Sequence, residues 1–195
     1  MTKSPAETRL MNKALDYLGR YATSKQRLSE VLGRFAMQKL DSHGTDEVAA
    51  AISMIVTRCQ TLGYLNDEAF AQSQARIHRR QGRSKHGIRQ RLRQHRLDDA
   101  LIEAALDAAD QHAANGELLA ACLFAKRRRI GPFYRGHYDT VDDSQALMQH
   151  QQRQLAKMAR AGFAMKVGRT VLELEDIDAV EQLIDKLEQG EDPTM

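Results

Sequence analysis

The sequence predicts an all-α protein: three tandem three-helix units stacked into an elongated, curved molecule. Three observations lead there. The 195 residues include only 3 Pro and 12 Gly, and Ala, Leu, Gln, Arg and Glu, which lose little freedom in a helix, are abundant. Apolar residues recur at spacings of three and four, and no alternating β-branched run occurs. Finally, the stretch SKQRLSEVL beginning at Ser24 returns as SKHGIRQRL beginning at Ser84. The shared pattern, Ser-Lys before aligned apolar positions, marks the start of equivalent helices.

The first unit, residues 5–65, opens at Ser4-Pro5-Ala6-Glu7. Ser4 can cap, Pro5 suits the first helical position, and Glu7 closes a capping box. Leu10, Ala14, Leu18 and Tyr21 follow at helical spacing. A second helix is expected from Thr23, with Gln26 closing its box and Leu28 and Leu32 turned inward. Ser42-His43-Gly44 breaks the chain. A third helix then runs from about Asp46 to Leu62, with Val48, Ile52, Ile55 and Cys59 on one face and Gly63 as its cap.

The second unit, residues 66–110, repeats this plan. Asn66 caps a helix carrying Phe70, Gln74 and Ile77, which ends at Gln81-Gly82-Arg83. Ser84 caps a short helix that buries Ile88 and Leu92. Asp98-Asp99 begin the next, with Ile102, Ala105 and Leu106 inward. The third unit, residues 115–175, is looser. Helices are expected over 117–129 and 145–161, joined by an irregular connector over 130–144 that holds Pro132, two Gly and two Tyr. A last helix contains Val167, Val171 and Leu172. Phe163 and Val167 follow Leu97 and Leu101, each 66 residues on. Residues 176–195 read as an acidic tail in which Val180, Leu183, Ile184 and Leu187 mark one amphipathic helix. A unit of this size leaves an apolar face uncovered, and stacked copies bury it against each other.

Little here suggests catalysis. There is no glycine-rich phosphate loop, nucleophile elbow or metal-ligand spacing. The seven His are scattered, and the adjacent pairs Asp98-Asp99 and Asp142-Asp143 diverge by about 100° on a helix, so they read as caps. We therefore expect no enzyme activity, no cofactor and no metal. Cys59 and Cys122 lie inside apolar helical patterns and read as reduced core thiols. No signal peptide or membrane span is recognised, so a soluble, cytoplasmic protein without membrane attachment is expected, as a monomer.

Charge is the informative feature. The net charge is only +3, yet residues 72–97 hold nine Lys/Arg, three His and no acid, while residues 173–192 hold nine acids and one Lys. On the helix after Ser84, Lys85, Arg89, Arg93 and Arg96 recur every three or four residues, beside the buried stripe. Arg79, Arg80 and Arg83 lie at the preceding turn. A second cluster, Lys126, Arg127, Arg128 and Arg129, ends the first helix of the third unit. Uncompensated positive charge repels itself unless an anion sits on it, and nucleic-acid phosphate is the expected anion.

The residues also resemble a known family, the RecX regulators of the RecA recombinase. The resemblance spans about residues 8–175. It rests on Ser24-Lys25 with Leu28 and Leu32, on the run Gly63-Tyr64-Leu65-Asn66-Asp67-Glu68-Ala69-Phe70-Ala71, on Gly82 with Ile88 and Leu92, and on Arg160-Ala161-Gly162-Phe163. Asn66 stands where the family usually has Asp, and His95-Arg96 where it usually has Lys-Gly. The resemblance implies tandem three-helix repeats and a negative modulator of RecA. Such a protein binds the RecA–single-stranded DNA filament, with weaker contact to double-stranded DNA. It suppresses ATP hydrolysis, strand exchange and coprotease activity, and so modulates DNA repair and the SOS response. The alternative is a free-standing helix-turn-helix-like DNA-binding protein or transcription factor, in which Gln90 and Gln94 are the available base-reading amides.

Overall fold

The structure, a computed structural model, describes residues 4–39, 45–135 and 144–191. The break at Ser42-His43-Gly44, most of the expected connector, His137, Tyr138 and Asp142-Asp143 lie outside the described residues. Among those described, ten α-helices and one 3₁₀ turn occur and no strand. The helices are α1 Pro5–Leu18, α2 Lys25–Lys39, α3 Thr45–Thr61, α4 Asp67–Arg80, α5 Lys85–Gln94 and α6 Asp99–Asp110. They continue with α7 Gly116–Arg128, α8 Ser144–Arg160, α9 Met165–Leu172 and α10 Ile177–Glu188, and the 3₁₀ turn is Gly131–Phe133.

The chain divides into two compact units. One comprises Met1–Ala71 and Leu92–Ile102, the other Gln72–Arg91 and Glu103–Met195; α4, α5 and α6 contribute residues to both. In the first unit α1, α2 and α3 pack together, and Leu10, Ala14, Leu28, Leu32, Ile55 and Cys59 form its core. In the second unit α7, α8, α9, α10 and the 3₁₀ turn enclose Leu118, Cys122, Met158, Phe163, Val171, Val180 and Leu187. Val180, Leu183, Ile184 and Leu187 are all buried. The amphipathic helix expected in the acidic segment is therefore a structural part of the second unit. Cys59 and Cys122 are free and buried. Burial raises both thiols, Cys122 from an ordinary 9.0 to about 12, because it disfavours the thiolate.

Local chemistry explains most helix boundaries. Ser4 Oγ accepts from Glu7 N–H at 3.1 Å while Ser4 N–H donates to Glu7 Oε2 at 3.2 Å, the reciprocal box that the sequence predicts. The start of α2 differs: Ser24, not Thr23, is the capping residue, its Oγ accepting from Arg27 N–H at 3.2 Å. Two apolar assignments also move. Tyr21 follows the end of α1 and is exposed, and Ile77 is 45% exposed. Phe70 is buried, and Ala71, Ala75, His78 and Arg79 complete the buried face of α4. A run read as purely basic thus supplies part of a buried face.

The repeated Ser-Lys has a specific job. Ser24 Oγ donates to the backbone carbonyl of His95, and Lys25 N–H donates to Asp67 Oδ1 at 2.8 Å. In the other unit Ser84 Oγ donates to the carbonyl of Ala161 at 2.6 Å, and Lys85 N–H donates to Glu117 Oε2 at 3.1 Å. Ser84 Oγ also accepts from Gly87 N–H at 3.1 Å, capping α5. Each hydroxyl therefore spends its proton on a distant chain segment and its lone pair on its own helix, which only a small hydroxyl residue can do. The carbonyls that receive them precede left-handed residues: Arg96 at φ 56° and Gly162 at φ 88°. Arg96 keeps the turn that Gly162 makes, against a cost of roughly 1–2 kcal/mol for the left-handed backbone. Replacing Ser84 by Ala should remove the α5 cap, about 1 kcal/mol, and strand the Ala161 carbonyl, a further ~1–3 kcal/mol. Denaturant unfolding that shows a loss under ~0.5 kcal/mol, within the range of ordinary surface changes, would contradict this role.

Candidate nucleic-acid interface

The basic residues do not share one fate. Tertiary structure supplies the acids that the sequence run lacks. Arg79 is buried, 6% exposed. Its Nε and Nη2 each donate to Asp110 at 2.7 Å, and its Nη1 donates to Glu117 Oε2 at 2.8 Å and to the Arg83 carbonyl at 3.0 Å. Lys85 Nζ stands 3.3 Å from Asp110 and 3.6 Å from Asp107. Arg89 grips Glu103 through two hydrogen bonds, at 2.6 and 2.8 Å. In the first unit Arg93 holds Asp99 in the same two-pronged way, at 2.8 and 3.0 Å, and Arg96 reaches Glu30 at 3.2 Å. The Glu30 carboxyl is held below its ordinary value, first by its hydrogen bond from Arg27 and also by Arg96. The stripe of Lys85, Arg89, Arg93 and Arg96 is therefore a ladder of ion pairs, and the expectation of uncompensated charge does not hold along it.

It holds elsewhere in the second unit. Arg80, Arg127, Arg128 and Arg129 are exposed and make no ion pair with any described residue. Lys126 pairs with Glu181 at 2.7 Å. Arg129 closes α7 in a left-handed conformation, φ 54°. Arg80 lines a cleft of about 530 Å³ together with Arg76 and Leu119.

Arg83 is the centre of the open charge. Its guanidinium is held below its ordinary value by burial first, and then by the positive charges of Arg91, Arg127 and Arg128. Its Nε is buried and has no hydrogen-bond partner among the described residues. A guanidinium cannot shed its proton in this range, so the cluster remains cationic and self-repelling.

Packing explains how the cluster assembles. Gly82, at φ 67°, lies against the backbone of α7; a Cβ there would stand 2.5 Å from Phe124 N and 3.0 Å from Ala120 O. Only glycine lets the α4–α5 turn approach so closely, and that approach brings Arg83 to the end of α7, where Arg127 and Arg128 project. Arg79 holds the same turn through the Arg83 carbonyl. The helix C-terminus itself favours the two cations.

Arg91 was not singled out by the sequence. A signal was present: its spacing from Ile88 places it beside the buried stripe of α5, on the side opposite Lys85 and Arg89. Arg91, Arg127 and Arg128 thus each act on Arg83, and none of the four guanidiniums makes an ion pair with a described residue, which suits them to phosphate oxygens. Among the described residues no group of three His, Cys, Asp or Glu could hold a metal ion, and no helix is long and apolar enough to cross a membrane.

Comparison with known proteins gives a consistent picture. Residues 66–106 match the family model described as "RecX, second three-helix domain". The regulatory protein RecX of Myxococcus xanthus (strain DK1622) is 35% identical over 168 residues, 85% of each chain. The regulatory protein RecX of Agrobacterium fabrum (strain C58) is 27% identical over 174 residues, covering 89% of this chain and 87% of that one. The crystal structure of RecX from Lactobacillus salivarius superposes with a TM-score of 0.60 at 18% identity, over 92% of this chain and 97% of that one, and shares its fold.

Proposed function

The chain belongs to the RecX family of regulatory proteins, and from that premise we propose that it is a non-catalytic, cytoplasmic modulator of RecA. In this reading it binds the RecA–single-stranded DNA filament as a monomer and inhibits ATP hydrolysis, strand exchange and coprotease activity. DNA repair and the SOS response are modulated in consequence.

One observation carries the DNA part of this reading. Arg83, Arg91, Arg127 and Arg128 converge without a counter-ion, and the buried Arg83 Nε lacks an acceptor. Phosphate oxygens would supply the counter-ion. Arg80 and Arg129 are suited to flanking phosphates. Lys85, Arg89, Arg93, Arg96 and Lys126 are already paired, and Arg79 holds the turn from inside. Backbone contact of this kind gives salt-dependent, weakly sequence-selective binding. Base reading by α5 as a recognition helix is disfavoured, because Arg89 and Arg93 are both engaged by carboxylates.

The test is the single-stranded-DNA-dependent ATPase rate of RecA, titrated with this protein. Inhibition at ratios well below one per RecA supports filament modulation. An unchanged rate at equimolar folded protein would overturn it.

A further inference from the structure

Helix α5 presents cations on two faces, and its neighbours in the second unit treat them oppositely. On one face Lys85 and Arg89 stand one turn apart. Glu103 and Asp107 of α6 are also one turn apart. The pairing runs antiparallel: Arg89 binds Glu103 through two hydrogen bonds, and Lys85 Nζ stands 3.6 Å from Asp107, with Asp110 beside it at 3.3 Å. Equal spacing on the two helices is what allows both rungs to form in register. On the other face Arg91 has no ion-pair partner among the described residues and acts on Arg83 beside Arg127 and Arg128.

The ladder contributes little to holding the fold. Side-chain exposure is 27% at Arg89, 48% at Glu103 and 78% at Asp107, and ion pairs this open to solvent contribute little stability. What the carboxylates do accomplish is occupancy. A carboxylate on a guanidinium fork uses the same parallel N–H···O geometry as a phosphate.

We propose that Glu103 and Asp107 determine specificity: as internal stand-ins for phosphate they occupy Lys85 and Arg89, and so confine a polyanionic strand on this unit to the open cluster of Arg83, Arg91, Arg127 and Arg128. The proposal rests on the nucleic-acid reading given above and adds which cations a strand can use.

The test is a titration of full-length protein against a labelled oligo-deoxythymidine, followed by fluorescence anisotropy across a range of salt. The variant Glu103→Gln/Asp107→Asn frees Arg89 and leaves Lys85 with Asp110 alone, 3.3 Å away. It should bind several-fold tighter, and its log K against log salt should steepen by ~0.7, the value for one added phosphate contact on a single strand. A control, Asp178→Asn/Asp185→Asn on α10, changes net charge equally at exposed acids away from the ladder and should move both quantities much less. Adding Lys85→Ala/Arg89→Ala to the ladder variant should return it to the starting affinity. An equal gain in the control, or a gain that survives loss of Lys85 and Arg89, overturns the proposal. If the unmodified protein binds no oligonucleotide at any salt, the nucleic-acid reading itself fails. The ladder variant then decides separately, since new salt-sensitive binding supports occupancy and its absence refutes it. Should the double variant lose helicity, Glu103→Gln alone is compared on the same terms.

Discussion

Replacing Arg127 and Arg128 together by Glu should lower single-stranded DNA affinity about 100-fold at moderate salt and abolish inhibition of RecA. Two phosphate contacts disappear, so the salt slope should fall by about 1.4, and two new anions then face Arg83 and the strand. The fold should survive. Both side chains are exposed, and an acid in the last turn of a helix costs only about 0.3–1 kcal/mol through the helix dipole. Arg127→Gln/Arg128→Gln removes that small penalty and should still lose most of the binding. Unchanged affinity and slope in folded protein would show that the strand does not touch the end of α7.

Arg79→Ala should fail in the opposite way. The side chain is buried and satisfies Asp110, Glu117 and the Arg83 carbonyl at once. Removing it leaves two partly buried carboxylates facing each other and frees the turn that carries Arg83. Breaking one partner of such a network costs about 3–5 kcal/mol, a large part of the ~5–15 kcal/mol typical of a domain. Denaturant or thermal unfolding should show this loss directly. A change below ~1 kcal/mol, together with a loss of DNA affinity, would instead make Arg79 a contact residue. The two arginine experiments therefore separate binding from support within one basic run.

Much of the fold was legible in the chain. Leu10, Ala14, Leu28, Leu32, Ile88, Leu92, Ile102 and Leu106 are all fully buried, as their helical spacing requires. Capping chemistry located Ser4 and Asn66, whose side chain accepts from Ala69 N–H at 2.9 Å. The misplaced residues are instructive. Ile77, apolar and at helical spacing from Phe70, is exposed, while Arg79 takes a buried position. A guanidinium with four satisfied donors is an acceptable core group, and local hydropathy cannot see the acids that satisfy it.

The candidate interface was legible only in part. A run of nine cations without an acid in residues 72–97 points to α4 and α5. It could not say that α6 would neutralise one face. Nor could it say that Gly82 would bring Arg83 to α7, or that Arg91 would belong with Arg127 and Arg128.

The sequence by itself determined the helices, most of their inward faces and the equivalence of Ser24 and Ser84, because apolar period and cap preference act within a few residues. The tertiary structure alone decided which positive charges remain open to a partner. An ion pair forms wherever two side chains meet in space, and the partners here lie 14 residues apart for Arg89 and Glu103, and 31 and 38 apart for Arg79 with Asp110 and Glu117.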